Sequence, residues 1–113
     1  MATLTLYGIA NCDACRKARR TLESRGRTVR FHDLRTDGLD HLLLERMESG
    51  LGWEDLLNRR SATWRALPES ARMPLDRARA LELMLEHPTL IKRPVIEDAG
   101  KFFLGLTDLP SAP

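Results

Sequence analysis

The sequence predicts an α/β fold, a mixed sheet interrupted by an inserted all-helical block. Three observations carry that expectation. Strand character is confined to the two ends of the 113-residue chain, and helix formers dominate between Leu39 and Leu85. The first end reads β-α-β, which calls for parallel pairing and a right-handed crossover. The second reads as a hairpin, with Ala99-Gly100 joining two short β-rich runs.

Each element follows from its own pattern. Thr3 to Tyr7 alternates threonine with leucine and an aromatic, a strand by propensity and period. Gly8 to Asn11 forms the turn, and Asn11 or Cys12 caps the helix that follows. Ala14, Ala18 and Leu22 give that helix its apolar stripe, and Gly26 should stop it. Thr28 to His32 is the second strand, with Val29 and Phe31 on one face.

In the middle, Leu39, Leu42, Leu43 and Met47 form one helical stripe that Gly50 should end. Short helices are expected around Trp53–Leu57 and Ala62–Leu67, with Trp53 and Trp64 as core anchors. Leu75 to Glu86 reads as a longer helix with Pro74 in its first turn and Ala78, Leu81 and Leu85 in register. Pro94 to Glu97 and Lys101 to Leu104 are the hairpin strands. The segment after Gly105 is too short and proline-rich to sustain a helix. Residues 1–113 therefore make one domain, with a helical insertion over about 38–88.

Composition narrows the function classes. An apolar content of 42% supports a normal core, and a net charge of +2 gives no polyanion-binding signal, so direct nucleic-acid binding is not expected. No apolar run approaches the roughly 20 residues of a membrane span, and no basic-then-apolar leader opens the chain. The expectation is a cytoplasmic protein without a membrane partner.

Cys12 and Cys15 are the only cysteines. They form a C-x-x-C at a strand-to-helix corner, where a helix N-terminus favours thiolate over thiol. Arg16, Lys17, Arg19 and Arg20 add positive charge nearby. Two cysteines cannot complete a structural zinc site, and His32, His41 and His87 show no H-x-x-x-H spacing, so no metal is expected. A disulfide closing so short a loop would constrain the unfolded chain little. The pair reads as redox-active, with Cys12 as nucleophile and Cys15 able to resolve a mixed disulfide. Asn11 can order the loop before the nucleophile. His32 beside Asp33 is read as structural.

Leu4-Thr5-Leu6-Tyr7-Gly8-Ile9, the C-x-x-C with Arg16-Lys17-Ala18-Arg19, Glu86-His87-Pro88 and Ile91-Lys92-Arg93-Pro94-Val95-Ile96 together resemble the arsenate reductase (ArsC) family. Gly52-Trp53, Leu56-Leu57-Asn58-Arg59 and Thr63-Trp64-Arg65 are similar to its YffB-like branch of small thiol reductases. The resemblance implies a thioredoxin-like fold with a helical insertion. It also implies Cys12 as nucleophile, a cis bond before Pro94 against the active-site loop, and Arg93 holding an anionic substrate. Arg93 matches one family arginine; Asn58 stands where a second falls, with Arg59 and Arg60 adjacent, and no arginine lies near Gly105. Holding a multiply charged oxyanion needs several charge-assisted hydrogen bonds. A thiol or disulfide substrate, with glutathione as co-substrate and no bound cofactor, is therefore expected over arsenate. Spx-like regulators also resemble this chain and keep the C-x-x-C. That resemblance implies an alternative, a redox switch bound to the RNA polymerase α subunit.

Overall fold

The computed structural model describes residues 3–109, which divide into two compact units. One is built from the chain up to Gly38 and from Arg93 onward; the other is Leu39–Lys92. No helix among the described residues is long and apolar enough to cross a membrane.

The first unit is a four-stranded sheet in the order β2-β1-β3-β4. Strands β1 (Leu4–Gly8) and β2 (Val29–Asp33) pair in parallel, joined by helix α1 (Asp13–Ser24). The remaining strands, β3 (Val95–Asp98) and β4 (Lys101–Leu104), form the hairpin, and β3 pairs antiparallel with β1. Strands β1, β2 and β3 begin and end a residue later than their patterns suggest, and β4 falls where its pattern puts it. Leu4, Leu6, Val29 and Ile96 present one sheet face to Cys15, Ala18 and Leu22 of α1, forming the core of this unit. A parallel pair needs such a crossover helix, and the period-2 and period-3.6 stripes meet there.

The end of α1 is fixed locally. Arg25 is its C-cap, and Gly26 has φ +83°. The Gly26 N–H donates to Glu23 O and the Arg27 N–H to Leu22 O, a Schellman closure that satisfies the last carbonyls. In the hairpin, Ala99 and Gly100 both have positive φ (53° and 81°), as a two-residue turn matched to strand twist requires. The Arg27 guanidinium donates to Asp98 Oδ1 at 2.9 Å, tying the α1–β2 corner to that hairpin.

The second unit is all helical: α2 (His41–Leu51), α3 (Trp53–Leu56), α4 (Ala62–Ala66), α5 (Glu69–Arg72), α6 (Arg77–Glu86) and a 3₁₀ turn at Pro88–Leu90. Several expectations change here. Helix α2 runs through Gly50 and ends at Gly52, whose φ of +83° is the left-handed turn a glycine supplies. Leu42 is 73% exposed; Met47 is buried as its spacing suggests, and Leu44 joins it on the buried face of α2. Helix α6 starts after Asp76, whose carboxylate caps it by accepting from Arg79 N–H, so Pro74 precedes the helix. Its buried face is Ala80, Leu81, Leu83 and Met84; Ala78 is exposed. Trp64 is buried and Trp53 only half-buried. Helix α5 is one turn that no apolar stripe announced.

The same competition between local capping and apolar periodicity corrects the C-terminal reading. A single turn, α7 (Gly105–Asp108), does form, and Gly105 N–H donates to Pro94 O at 3.0 Å. Leu106 and Leu109 pack on the core of the sheet unit, which supplies the burial that a four-residue helix lacks by itself. The proline-rich tail beyond residue 109 lies outside the described residues.

Candidate active site

Strand β1 carries the cysteine loop to the end of the sheet. Its last rung pairs Gly8 with Asp33, and Leu34 N–H donates to Gly8 O at 2.8 Å. The chain then leaves the sheet and enters α1 at Cys12, the N-cap residue, in an extended conformation. Asn11 precedes the cap and is exposed. Cys12 O accepts from Arg16 N–H at 3.0 Å, the first bond of the helix.

The two sulfurs sit in different surroundings. Both thiols are free; Cys12 is half-buried and Cys15 is 1% exposed. Burial pushes the Cys12 thiol up, but three groups outweigh it: the N–H and thiol of Cys15 and the Arg93 guanidinium, all of which favour the thiolate. Its ionisation is thus drawn below the ordinary cysteine value. Cys12 makes no regular side-chain cap. The third helical N–H nevertheless faces its sulfur, where an Asp or Ser oxygen would normally sit. Burial pushes the Cys15 thiol up to about 11, and the neighbouring Cys12 sulfur adds to the effect. One helix turn therefore holds a sulfur whose thiolate form is favoured and a second thiol placed to donate to it.

Gly8 makes this arrangement fit. A Cβ built there would collide with the Cys15 sulfur and come within 3.2 Å of its Cβ. The backbone of β1 is the wall against which Cys15 rests, and any side chain at position 8 would occupy the thiol's space. Beside Cys15 lies a cavity of about 270 Å³ lined by Ile9, Ala10, Cys15, Arg16, Arg19 and Phe31. Arg16 is ion-paired with Asp13, and Arg19 lies 3.6 Å from Glu23 and over the Phe31 ring.

Arg93 and Pro94 stand just before β3 in the same unit, and the bond between them is cis. Pro94 is buried and Arg93 half-buried. The structure thus brings together Cys12, Cys15 and Arg93, with Asn11 and Pro94 on the flanking backbone. Arg59 and Arg60 belong to the helical unit. There they line a separate groove of about 460 Å³ with Glu54, Leu57, Asn58 and Lys92. Asn58 Oδ1 accepts from Arg60 N–H at 3.0 Å, and an antiparallel bridge between Leu57 and Ile91 fixes the groove's base.

Two strand-end residues beside the loop, Gly8 and Asp33, are not marked by the sequence as parts of a site. Gly8 enters the sequence reading as a turn residue and as part of the Leu4–Ile9 stretch; its place four residues before Cys12 is the available signal. Asp33 enters the sequence reading beside His32, with no site role of its own. His32 itself is structural: its Nε2–H donates to Gly38 O at 2.8 Å, and its ring lies 5.1 Å from that of Tyr7.

Comparison with known proteins follows the same lines. A family model described as the ArsC family matches residues 7–108. An uncharacterized protein of Haemophilus influenzae is 44% identical over 105 residues, covering 93% of this chain and 92% of that protein. A global transcriptional regulator Spx of Streptococcus agalactiae is 29% identical, and the match covers 93% of this chain and 77% of the regulator. Among solved structures, a protein named YFFB superposes with a TM-score of 0.86 at 42% identity, covering 91% of this chain and 90% of that one. An arsenate reductase (ArsC) related protein from Brucella melitensis gives 0.80 at 47% identity, with 93% and 88% coverage. The sheet with one crossover helix, the two-cysteine turn and these matches have one common account: the chain is a thioredoxin-like α/β protein and belongs to the ArsC family.

Proposed function

We propose that this protein is a cytoplasmic thiol-dependent reductase in which the Cys12 thiolate is the nucleophile. The observation that carries the reading is the placement of Cys12 at the N-cap of α1, its sulfur faced by the Cys15 N–H and thiol and by the Arg93 guanidinium, groups that favour the thiolate, while Cys15 is buried. In the first step Cys12 Sγ attacks a sulfur of a disulfide or glutathione mixed disulfide. A Cys12–substrate S–S bond forms, the original S–S bond breaks, and the leaving sulfur departs as thiolate. Once Cys12 is no longer anionic, the Cys15 thiol loses both its hydrogen-bond acceptor and the neighbouring charge that raised it. Cys15 Sγ then attacks Cys12 Sγ: the Cys12–Cys15 S–S bond forms, the Cys12–substrate S–S bond breaks, and the departing substrate sulfur takes up the Cys15 proton and leaves as the second thiol. Two glutathione thiols reduce the resulting disulfide and leave as glutathione disulfide. Alternatively, one glutathione attacks the mixed disulfide directly.

Arg93 in this scheme stabilises the nucleophile and orients an anionic group of the substrate, and Asn11 orders the approach. Arg59 and Arg60 line their own groove in the helical unit and carry no step of this scheme. The arginine set supports a thiol or disulfide substrate over arsenate, because Asn58 occupies the position of one oxyanion-binding arginine. The test is alkylation of each cysteine against pH, together with a glutathione-coupled assay on a small mixed disulfide. A Cys12 midpoint near the free-thiol value of ~8.5 would remove the chemical basis. Cys15→Ser separates the two resolving routes: retained turnover assigns resolution to glutathione, lost turnover to Cys15.

A second reading is favoured by the similarity to the Spx regulators and by the intact C-x-x-C. In it the same thiol pair is a redox switch on a protein that binds the RNA polymerase α subunit. Redox-dependent capture of that subunit, with no turnover in the reductase assay, would establish it over the first.

A further inference from the structure

Asp33 is 5% exposed, the only buried charged side chain among the described residues. Its two carboxylate oxygens accept three backbone N–H groups. Oδ1 accepts from Arg35 at 2.8 Å and Thr36 at 3.1 Å, closing the turn after β2. Oδ2 accepts from Ala10 at 2.8 Å, across 23 residues of sequence. The Asp33 backbone is itself held, its N–H donating to Asp37 Oδ2 and its carbonyl accepting from Asp37 N–H, both at 2.8 Å.

The turn after β2 needs only the two Oδ1 bonds, which are an ordinary aspartate turn. The Oδ2 bond does something else. Ala10 lies in the stretch that joins the last rung of β1 to Cys12, where no strand partner remains. Its N–H is held by Asp33, and its carbonyl accepts from Arg16 Nη1 at 3.4 Å. Hydrogen bonds to the Cys12 sulfur from Cys15 and Arg93 are directional and short-ranged, so they work only if the backbone entering Cys12 is fixed.

We propose that Asp33 is a positioning residue for the Cys12 thiolate, acting through the Ala10 amide; this rests on Cys12 being the reacting group. The carboxylate is required because three N–H donors converge on two oxygens. In Asp33→Asn the side-chain amide has one acceptor oxygen, so its NH₂ group must meet at least one backbone N–H.

The test measures the pH profile of Cys12 alkylation by iodoacetamide in the full chain, comparing wild type, Asp33→Asn and Asp37→Asn. Asp37→Asn alters the same turn without touching Ala10. The expected result is a Cys12 midpoint raised by about half a pH unit or more in Asp33→Asn, roughly a threefold loss of thiolate at fixed lower pH. Asp37→Asn should keep the wild-type midpoint. Equal midpoints in wild type and Asp33→Asn overturn the proposal, and so does an equal shift in both variants. If Asp33→Asn does not fold, amide exchange in the wild type decides. Ala10 N–H should be protected like a strand amide, and exchange at an open-loop rate overturns the proposal. An ordinary thiol midpoint in the wild type would count against the reductase reading, while the difference between variants still judges the role of Asp33.

Discussion

The two units reach order by different means. In the sheet unit, long-range pairing does the work: β1 sits between β2 and β3, and an apolar face of strand and helix residues closes over Cys15. In the helical unit four of the six elements are three to five residues long, too short to stand by propensity alone. Side-chain caps at Asp40, Ser61 and Asp76 start α2, α4 and α6, and buried leucines and methionines hold the turns together. The lesson is that the candidate site lies in the unit whose geometry is over-determined. A thiolate that depends on particular N–H and guanidinium directions needs a scaffold with few alternatives.

That contrast can be broken at several points. Cys12→Ser should abolish turnover on a mixed disulfide, by at least ~10³-fold, with an unchanged circular dichroism spectrum. Residual activity within tenfold of wild type would move the nucleophile elsewhere. Gly8→Ala forces a methyl into the Cys15 sulfur, and overpacking of this kind costs about 1–3 kcal/mol. Thermal unfolding should show that loss, and the Cys12 alkylation midpoint should rise as Cys15 is displaced.

The third prediction concerns alkaline pH. The Cys15 ionisation is higher folded than unfolded, so its contribution to stability is complete below the unfolded value of ~8.5. It is lost as pH rises toward about 11. Unfolding midpoints measured through that window should fall more steeply for wild type than for Cys15→Ala. Parallel curves would mean the thiol ionises as easily folded as unfolded.

Two smaller effects belong to the helical unit. Ser61→Ala removes the oxygen that accepts from Trp64 N–H at 3.1 Å and should cost ~1 kcal/mol in denaturant unfolding. The Cys12 midpoint should not move. Leu42→Gln, at an exposed site, should change stability by less than about 0.5 kcal/mol. A larger loss would return Leu42 to the core its spacing suggested.

The same contrast explains what could be read from the sequence. Strand alternation in Leu4–Tyr7, the stripe Ala18–Leu22 and the Ala99-Gly100 turn each have one structural solution, and the sheet unit follows them closely. In the helical unit, leucines occur on several faces of short helices, so periodicity selected Leu42 and Ala78 where burial selects Leu44 and Ala80. Capping by Asp76 and termination at Gly52 decided boundaries that an apolar stripe cannot. Of the candidate site, the cysteines and Arg93 were legible as residue types in a motif. Gly8 and Asp33 were not, because their roles are a missing Cβ and a hydrogen bond spanning 23 residues.

The pairing of β1 with β3 also has a temporal side. Tyr7 OH donates to Glu97 Oε1 at 2.6 Å across a separation of 90 residues, and Ile96 and Leu109 complete the core around Cys15. Contacts this distant in sequence are late in synthesis and slow in folding. While the ribosome is still making the helical segment, β1, α1 and β2 exist without the strand that finishes their shelter. The thiol most fully enclosed in the finished molecule should therefore be more open to oxidants during translation, and newly made chains should be more readily cross-linked through Cys15 than mature ones.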